Sequence, residues 1–194
     1  YNIISWNSMV VRSKKLMSKM YVYVIRSRNK DNKNVLGFHE RCKTMVMYEQ
    51  DEDKVYEEFK AFAAKGVPGE KTRLYKTVNA RDEEKCRKEL IIRLLNNASL
   101  TKMRSVLASA CQQSKCRAES KWLFDFDSKD ENRLQDFLED VNHWTSTETY
   151  ETPNGYAIVA EHGFDTRELF EKYKDMDITL KKDELLFLDM IQTE

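Results

Sequence analysis

Proline is almost missing from these 194 residues: the chain has two, with five glycines, four cysteines and three histidines. So little proline, beside 41% hydrophobic and 11% aromatic residues, excludes a disordered or low-complexity chain and predicts a folded one. No apolar run is long enough to cross a bilayer and no signal peptide is visible, so a cytoplasmic protein is expected. Four cysteines (Cys42, Cys86, Cys111, Cys116) in a chain of this length read as reduced thiols rather than a disulfide framework. Walker-type glycine loops, a Ser-His-Asp order and HExxH are all absent, so none of these signatures supplies a site. His39-x-x-Cys42 with Cys111-x4-Cys116 could offer four soft ligands, but lacks the tight pairs of a structural zinc site, and Cys86 sits in a helical stripe.

Net charge is also zero, and this hides a division. Residues 1–122 carry 26 Lys/Arg against 14 Asp/Glu, whereas residues 123–194 carry 7 against 19. Either a basic lobe holds a polyanion and an acidic lobe a metal, or the two lobes attract each other.

The length suits one domain or two small lobes sharing a core. Residues 1–19 have no sustained period and are set apart as a flexible or non-native extension, with Met17 or Met20 as candidate starts. A basic α/β lobe is expected over 20–120. Its strand begins at Met20, a hairpin loop follows over 27–34, and a helix carries Val55, Tyr56, Phe59, Phe62 and Ala63 before Gly66 and Pro68 stop it. Arg73–Val78 alternates as a strand, and Asn79-x-x-Asp82 opens a helix striped by Cys86, Leu90, Ile91, Leu94 and Leu95. A further helix carries Leu100, Met103, Val106, Leu107 and Ala110, and 111–120 links the lobes.

Residues 121–194 form the acidic lobe. A strand over 121–127 leads to the capping box Ser128-x-x-Glu131 and a helix with Leu134, Phe137, Leu138 and Val141 inward. Thr145–Thr152 turns at Pro153-Asn154-Gly155 into Tyr156–Glu161, and Asp165-x-x-Glu168 caps a second helix. Ile178–Leu180 and Leu185–Asp189 close the chain as strands. The expected fold is therefore α+β and two-lobed. Its C-terminal lobe is a βαββαβ split-βαβ sheet (RRM- or ferredoxin-like), with helices on one face and the other left for ligands.

Lys121-Trp122-Leu123-Phe124-Asp125-Phe126-Asp127 sets two carboxylates at i and i+2, on the face opposite Trp122, Phe124 and Phe126. Like charges beside a core are costly unless a cation or donor sits between them, and a divalent metal is the usual answer. The bland alternative is a strand running out into water. Asp189, ending Leu185-Leu186-Phe187-Leu188, could add a third carboxylate, completing an oxygen site for Mg²⁺ or Mn²⁺, or be an exposed strand end. Arg73, Lys76 and Arg81 flank a strand-to-helix junction that would favour phosphate, although Arg73 and Lys76 point to opposite faces.

A D-x-D strand, a helix, a T-P-x-G-Y hairpin and an apolar strand ending in Asp together resemble the archaeo-eukaryotic primase (primase-polymerase) superfamily. The likeness is strongest to small primase-like proteins of large double-stranded DNA phages, and it spans about residues 70–194. On this resemblance Asp125 and Asp127 match the first motif and Asp189 the third. Asp127 lies 30 residues before position 157 and Asp189 lies 32 after it. The second motif would read Gly-Tyr-His, and this chain reads Gly155-Tyr156-Ala157. The missing histidine is the one expected to contact nucleotide phosphates. His162, an odd offset of five along the strand, falls on the opposite face.

The resemblance implies a metal-dependent nucleotidyltransferase or a degenerate relative, with Asp125, Asp127 and Asp189 on Mg²⁺ or Mn²⁺. Ala157 and Asn154 of the hairpin, with Arg73, Lys76 and Arg81 from the strand-to-helix junction of the basic lobe, are the candidates to line the nucleotide. An inactive primase-fold module binding nucleic acid or a host or replication protein is the alternative, with Tyr21, Tyr23 and Tyr75 as stacking platforms or core residues. A metal-dependent nuclease is a third.

Overall fold

The structure, a computed structural model, describes residues 19–96 and 100–194. The extension expected over 1–19 therefore lies, but for Lys19, outside the described residues. The chain runs β1 (Met20–Ser27), β2 (Arg41–Tyr48), α1 (Glu52–Ala63), β3 (Lys71–Thr77), α2 (Glu83–Leu95) and α3 (Met103–Cys111). It continues through β4 (Trp122–Phe126), α4 (Glu131–Asn142), β5 (Thr147–Glu151), β6 (Tyr156–Ala160), α5 (Arg167–Lys172), β7 (Ile178–Lys181) and β8 (Leu185–Gln192). These elements make an α+β molecule with two antiparallel four-stranded sheets, ordered β2-β1-β3-β8 and β5-β6-β4-β7. Among the described residues no helix is long and apolar enough to cross a membrane.

The first sheet is buried on both faces because β1 is apolar throughout, reading Met20-Tyr-Val-Tyr-Val-Ile. Tyr21, Tyr23 and Ile25 pack with Val55 and Phe59 of α1, while Met20 and Val22 meet Cys86, Ala108 and Cys111 of α2 and α3. Tyr21 and Tyr23 are core residues, 6% and 0% exposed, and offer no stacking platform. Cys111 and Cys116 join Cys86 in that core, whereas Cys42 is exposed on β2, so the His39/Cys42 and Cys111/Cys116 pairs do not converge. The stripe expected on α2 is also corrected. Ile91 and Leu95 face solvent, and Glu89 is buried instead, neutralised by Arg93 and Lys115.

In the second sheet Phe124, Phe126, Ile158 and Ala160 face α4 and α5 through Leu134, Phe137, Val141, Leu169 and Tyr173. The opposite face is not left open along its whole width. Leu123, Ala157 and Val159 meet Val78 and Leu186 of the first sheet. β8 is the reason: this strand of the acidic segment pairs with β3, from Lys71↔Gln192 to Thr77↔Leu185.

A buried polar knot holds the β7–β8 turn in place. Asn79, wholly buried, donates to the carbonyls of Lys121 and Lys182 and accepts from the Lys121 amide. Arg81 grips Asp183 with two hydrogen bonds of 3.0 Å. Asn79 is thus spent on the joint between sheets, and Asp82 alone caps α2, accepting from the Lys85 amide. Likewise Asp130, not Ser128, caps α4, because Ser128 Oγ is taken by the Asp130 amide. Asp165 accepts from the Arg167 amide, but Thr166 is the residue at the N-cap of α5.

Candidate functional site

The site is built on β4, the strand between β6 and β7. Antiparallel register sets Asp125 directly opposite Ala157 on one side and Thr179 on the other, and sets Ala157 opposite Tyr150. The position that the resemblance gives to a phosphate-contacting histidine is therefore the cross-strand neighbour of the first acid. Directly opposed side chains lie about 4.5–5.5 Å apart at Cβ, but Ala157, expected to line a nucleotide, is 4% exposed and packs in the core between the sheets with Val78 and Leu186. The turn before Ala157 demands its glycine: a Cβ at Gly155 would sit 2.0 Å from the Phe126 carbonyl oxygen. Gly155 thus lets the hairpin close on β4 where the acids are.

Lys181 is the residue that sequence reasoning missed. Its ammonium lies 2.5 Å from Asp125 Oδ2, and both side chains are about one-third exposed. Lys181 stands opposite Leu123, the diagonal neighbour of Asp125 on the same face. Asp127 follows the end of β4 and is exposed, its amide donating to the Asp177 carbonyl. Burial, then Asp125, then Asp177 hold the Asp127 carboxyl above its usual range, with Lys181 and Lys30 opposing them.

The other expected site residues are scattered. Asp189 lies on β8 opposite Leu74, in the first sheet, so the three carboxylates are not on adjacent strands. Its negative charge reaches Tyr56 of α1, whose hydroxyl is pushed up chiefly by burial and then by Asp189. Arg73 pairs with Asp31 at 2.5 Å, and Lys76 lies over the Tyr21 ring and 3.7 Å from Glu52. Arg81 is the buried clamp on Asp183, and Asn154 is exposed in the β5–β6 turn. His162 is exposed beyond β6.

Among the described residues no group of three or more His, Cys, Asp or Glu is gathered to hold a metal ion. At β4 Lys181 pairs with Asp125, and Asp189 lies in the other sheet. No protein-family model, no curated protein and no solved structure matches the chain.

Proposed function

We propose that this chain is a primase-polymerase-like module that binds nucleotides or single-stranded nucleic acid and has lost the metal-dependent step. In this reading the second sheet is a split-βαβ (RRM- or ferredoxin-like) unit. The strand order β5-β6-β4-β7, with α4 and α5 packed on one face, supports it. The observation that carries the reading is the register of Asp125 against Ala157. It sets two segments that lie apart in sequence, each likened to a motif of that family, on neighbouring strands. There the acid faces a methyl group, and a lysine supplies the positive charge. What remains is recognition, through cations that contact phosphate without sequence preference.

The test is fluorescence anisotropy with labelled single-stranded DNA and RNA over a range of salt, beside primer extension in Mn²⁺. Salt-sensitive binding without extension is the expected result. Extension by the unaltered chain would sink the module reading.

One observation favours the active reading instead. Crowding of Asp127 by Asp125 and Asp177 is the electrostatic setting that a divalent cation relieves. A nucleotidyltransferase would use Asp125 and Asp127 to hold Mg²⁺ or Mn²⁺, the ion serving to neutralise phosphate charge. Mn²⁺ binding lost in Asp125→Asn would support this reading, and cleavage of labelled strands in Mn²⁺ would point to a nuclease.

A further inference from the structure

A cavity of about 430 Å³ opens where the end of β1 meets the β7–β8 hairpin. Its charged lining is four cations, Arg26, Arg28, Arg81 and Lys181, against two carboxylates, Asp183 and Glu184. That volume suits a small ligand.

The pairing of these groups is uneven. Arg81 is bound to Asp183, Arg28 to Asp31 and Lys181 to Asp125. Arg26 is exposed between the buried Ile25 and Ser27 and makes no ion pair or hydrogen bond among the described residues. The other three cations are each neutralised, so Arg26 is the cavity's one cation without a carboxylate partner among the described residues. Only Glu184 of the same lining, itself unpaired among the described residues, offsets it. A second sign is independent of charge counting. The Nε of Arg81, on a side chain 1% exposed, is a buried donor without an acceptor. Native structures rarely leave such a donor idle.

Guanidinium forks match tetrahedral oxyanions, giving two parallel N–H···O bonds to one group. The wall between the cations is Tyr75, edge-on to Phe187 with the Arg28 guanidinium 6.0 Å above its ring. Arg26 and Tyr75 belong to neighbouring strands, so the two are fixed by the sheet rather than by a loop.

We propose that this cavity binds a terminal phosphate, held by Arg26 of β1, Arg28 just beyond that strand and Lys181 at the end of β7. The proposal goes beyond nucleic-acid binding in general: it places one phosphate at the joint of the two sheets and does not need a metal on Asp125. A free nucleotide and a 5′-phosphorylated strand end both carry that group.

The experiment is isothermal titration of the full chain at constant ionic strength. The probes are inorganic pyrophosphate, a nucleoside triphosphate, and an oligonucleotide with either a 5′-phosphate or a 5′-hydroxyl. Pyrophosphate is expected to bind, and Arg26→Ala and Arg26→Gln should each weaken it tenfold or more. Lys174→Ala, on the outer surface beyond α5, should change nothing. Asp125→Asn should tighten pyrophosphate several-fold, because it frees Lys181. A preference for triphosphate identifies a nucleotide site, and a preference for the 5′-phosphorylated strand identifies an end-binding site. No pyrophosphate binding, or binding indifferent to Arg26, overturns the proposal. Single-strand binding that persists without pyrophosphate binding would overturn it while leaving the nucleic-acid reading intact.

Discussion

Asp127 and Asp183 show how the same carboxylate has opposite consequences in two settings. Asp127 is crowded by burial, Asp125 and Asp177, so its folded pKa lies above the ordinary value of 3.8. A raised acid is ionised first in the unfolded chain, so the native state loses stability as pH rises through the carboxylate range. Asp127→Asn should therefore match the unaltered chain near pH 3 and exceed it at pH 7. The gain should be no more than roughly 0.5 kcal/mol, because the group is exposed and screened. Urea unfolding at the two pH values measures it, and a variant less stable at pH 7 would contradict the crowding. Asp183, by contrast, is 7% exposed and bound to an arginine that is 1% exposed. Asp183→Ala would leave Arg81 charged and unpaired in the interior, a loss of about 3–5 kcal/mol. Asp183→Asn keeps an acceptor and should be milder in the same urea titration. Neither environment could be seen in the sequence. Lys181-Lys182-Asp183-Glu184 reads as an ordinary polar turn, and only the fold reveals that its first and third residues reach Asp125 and Arg81.

At the scale of elements, legibility followed the range of the interaction. Local signals sufficed for α1, α4 and the β5–β6 hairpin, where apolar spacing and the Pro153-Asn154-Gly155 turn act within a few residues. The Asp125↔Ala157 meeting was also accessible, because a short hairpin and one crossover helix leave few ways to set β6 beside β4. The destination of β8 was not. Leu185-Leu186-Phe187-Leu188 announces a strand, but hydrophobic pattern does not say which sheet receives it, and β3 lies more than a hundred residues earlier. The α2 stripe failed for a related reason. Period alone would bury Leu95, yet Glu89 takes a buried place once Arg93 and Lys115 neutralise it. The β4–β6 contact also offers a sharp test. Because a Cβ at Gly155 would meet Phe126 O at 2.0 Å, Gly155→Ala must push the hairpin away from β4. Overpacking of this kind costs roughly 1–3 kcal/mol, and amide exchange should quicken in β4 and β6 before it does in β1. Equal protection in both sheets would show that the hairpin yields without disturbing the pair.

For the whole molecule, the decisive fact is that the acidic C-terminal segment is shared between the two sheets. β8 completes the first sheet along seven paired positions of β3, and Leu186 fills the space between Val78 and the Leu123/Ala157/Val159 face. The Asn79 and Arg81–Asp183 contacts fasten the same turn from within. Charge division between the halves therefore coexists with physical interleaving, and the Arg81–Asp183 pair joins them across it. Unfolding should accordingly be a single cooperative transition. Far-UV circular dichroism, reporting both sheets, and tryptophan fluorescence, weighted to Trp122 and Trp144 around the second, should give coincident urea midpoints. A break after residue 120 should leave neither part folded, since one loses an edge strand and the other exposes Leu123, Val159 and Leu186 together. Leu186→Ala should shift both midpoints by the same amount, equivalent to about 2–5 kcal/mol for an emptied core position. Were fluorescence to shift while dichroism stayed in place, the sheets would be independent. The cavity at their joint would then lack the rigidity needed to hold Arg26 and Lys181 on one phosphate.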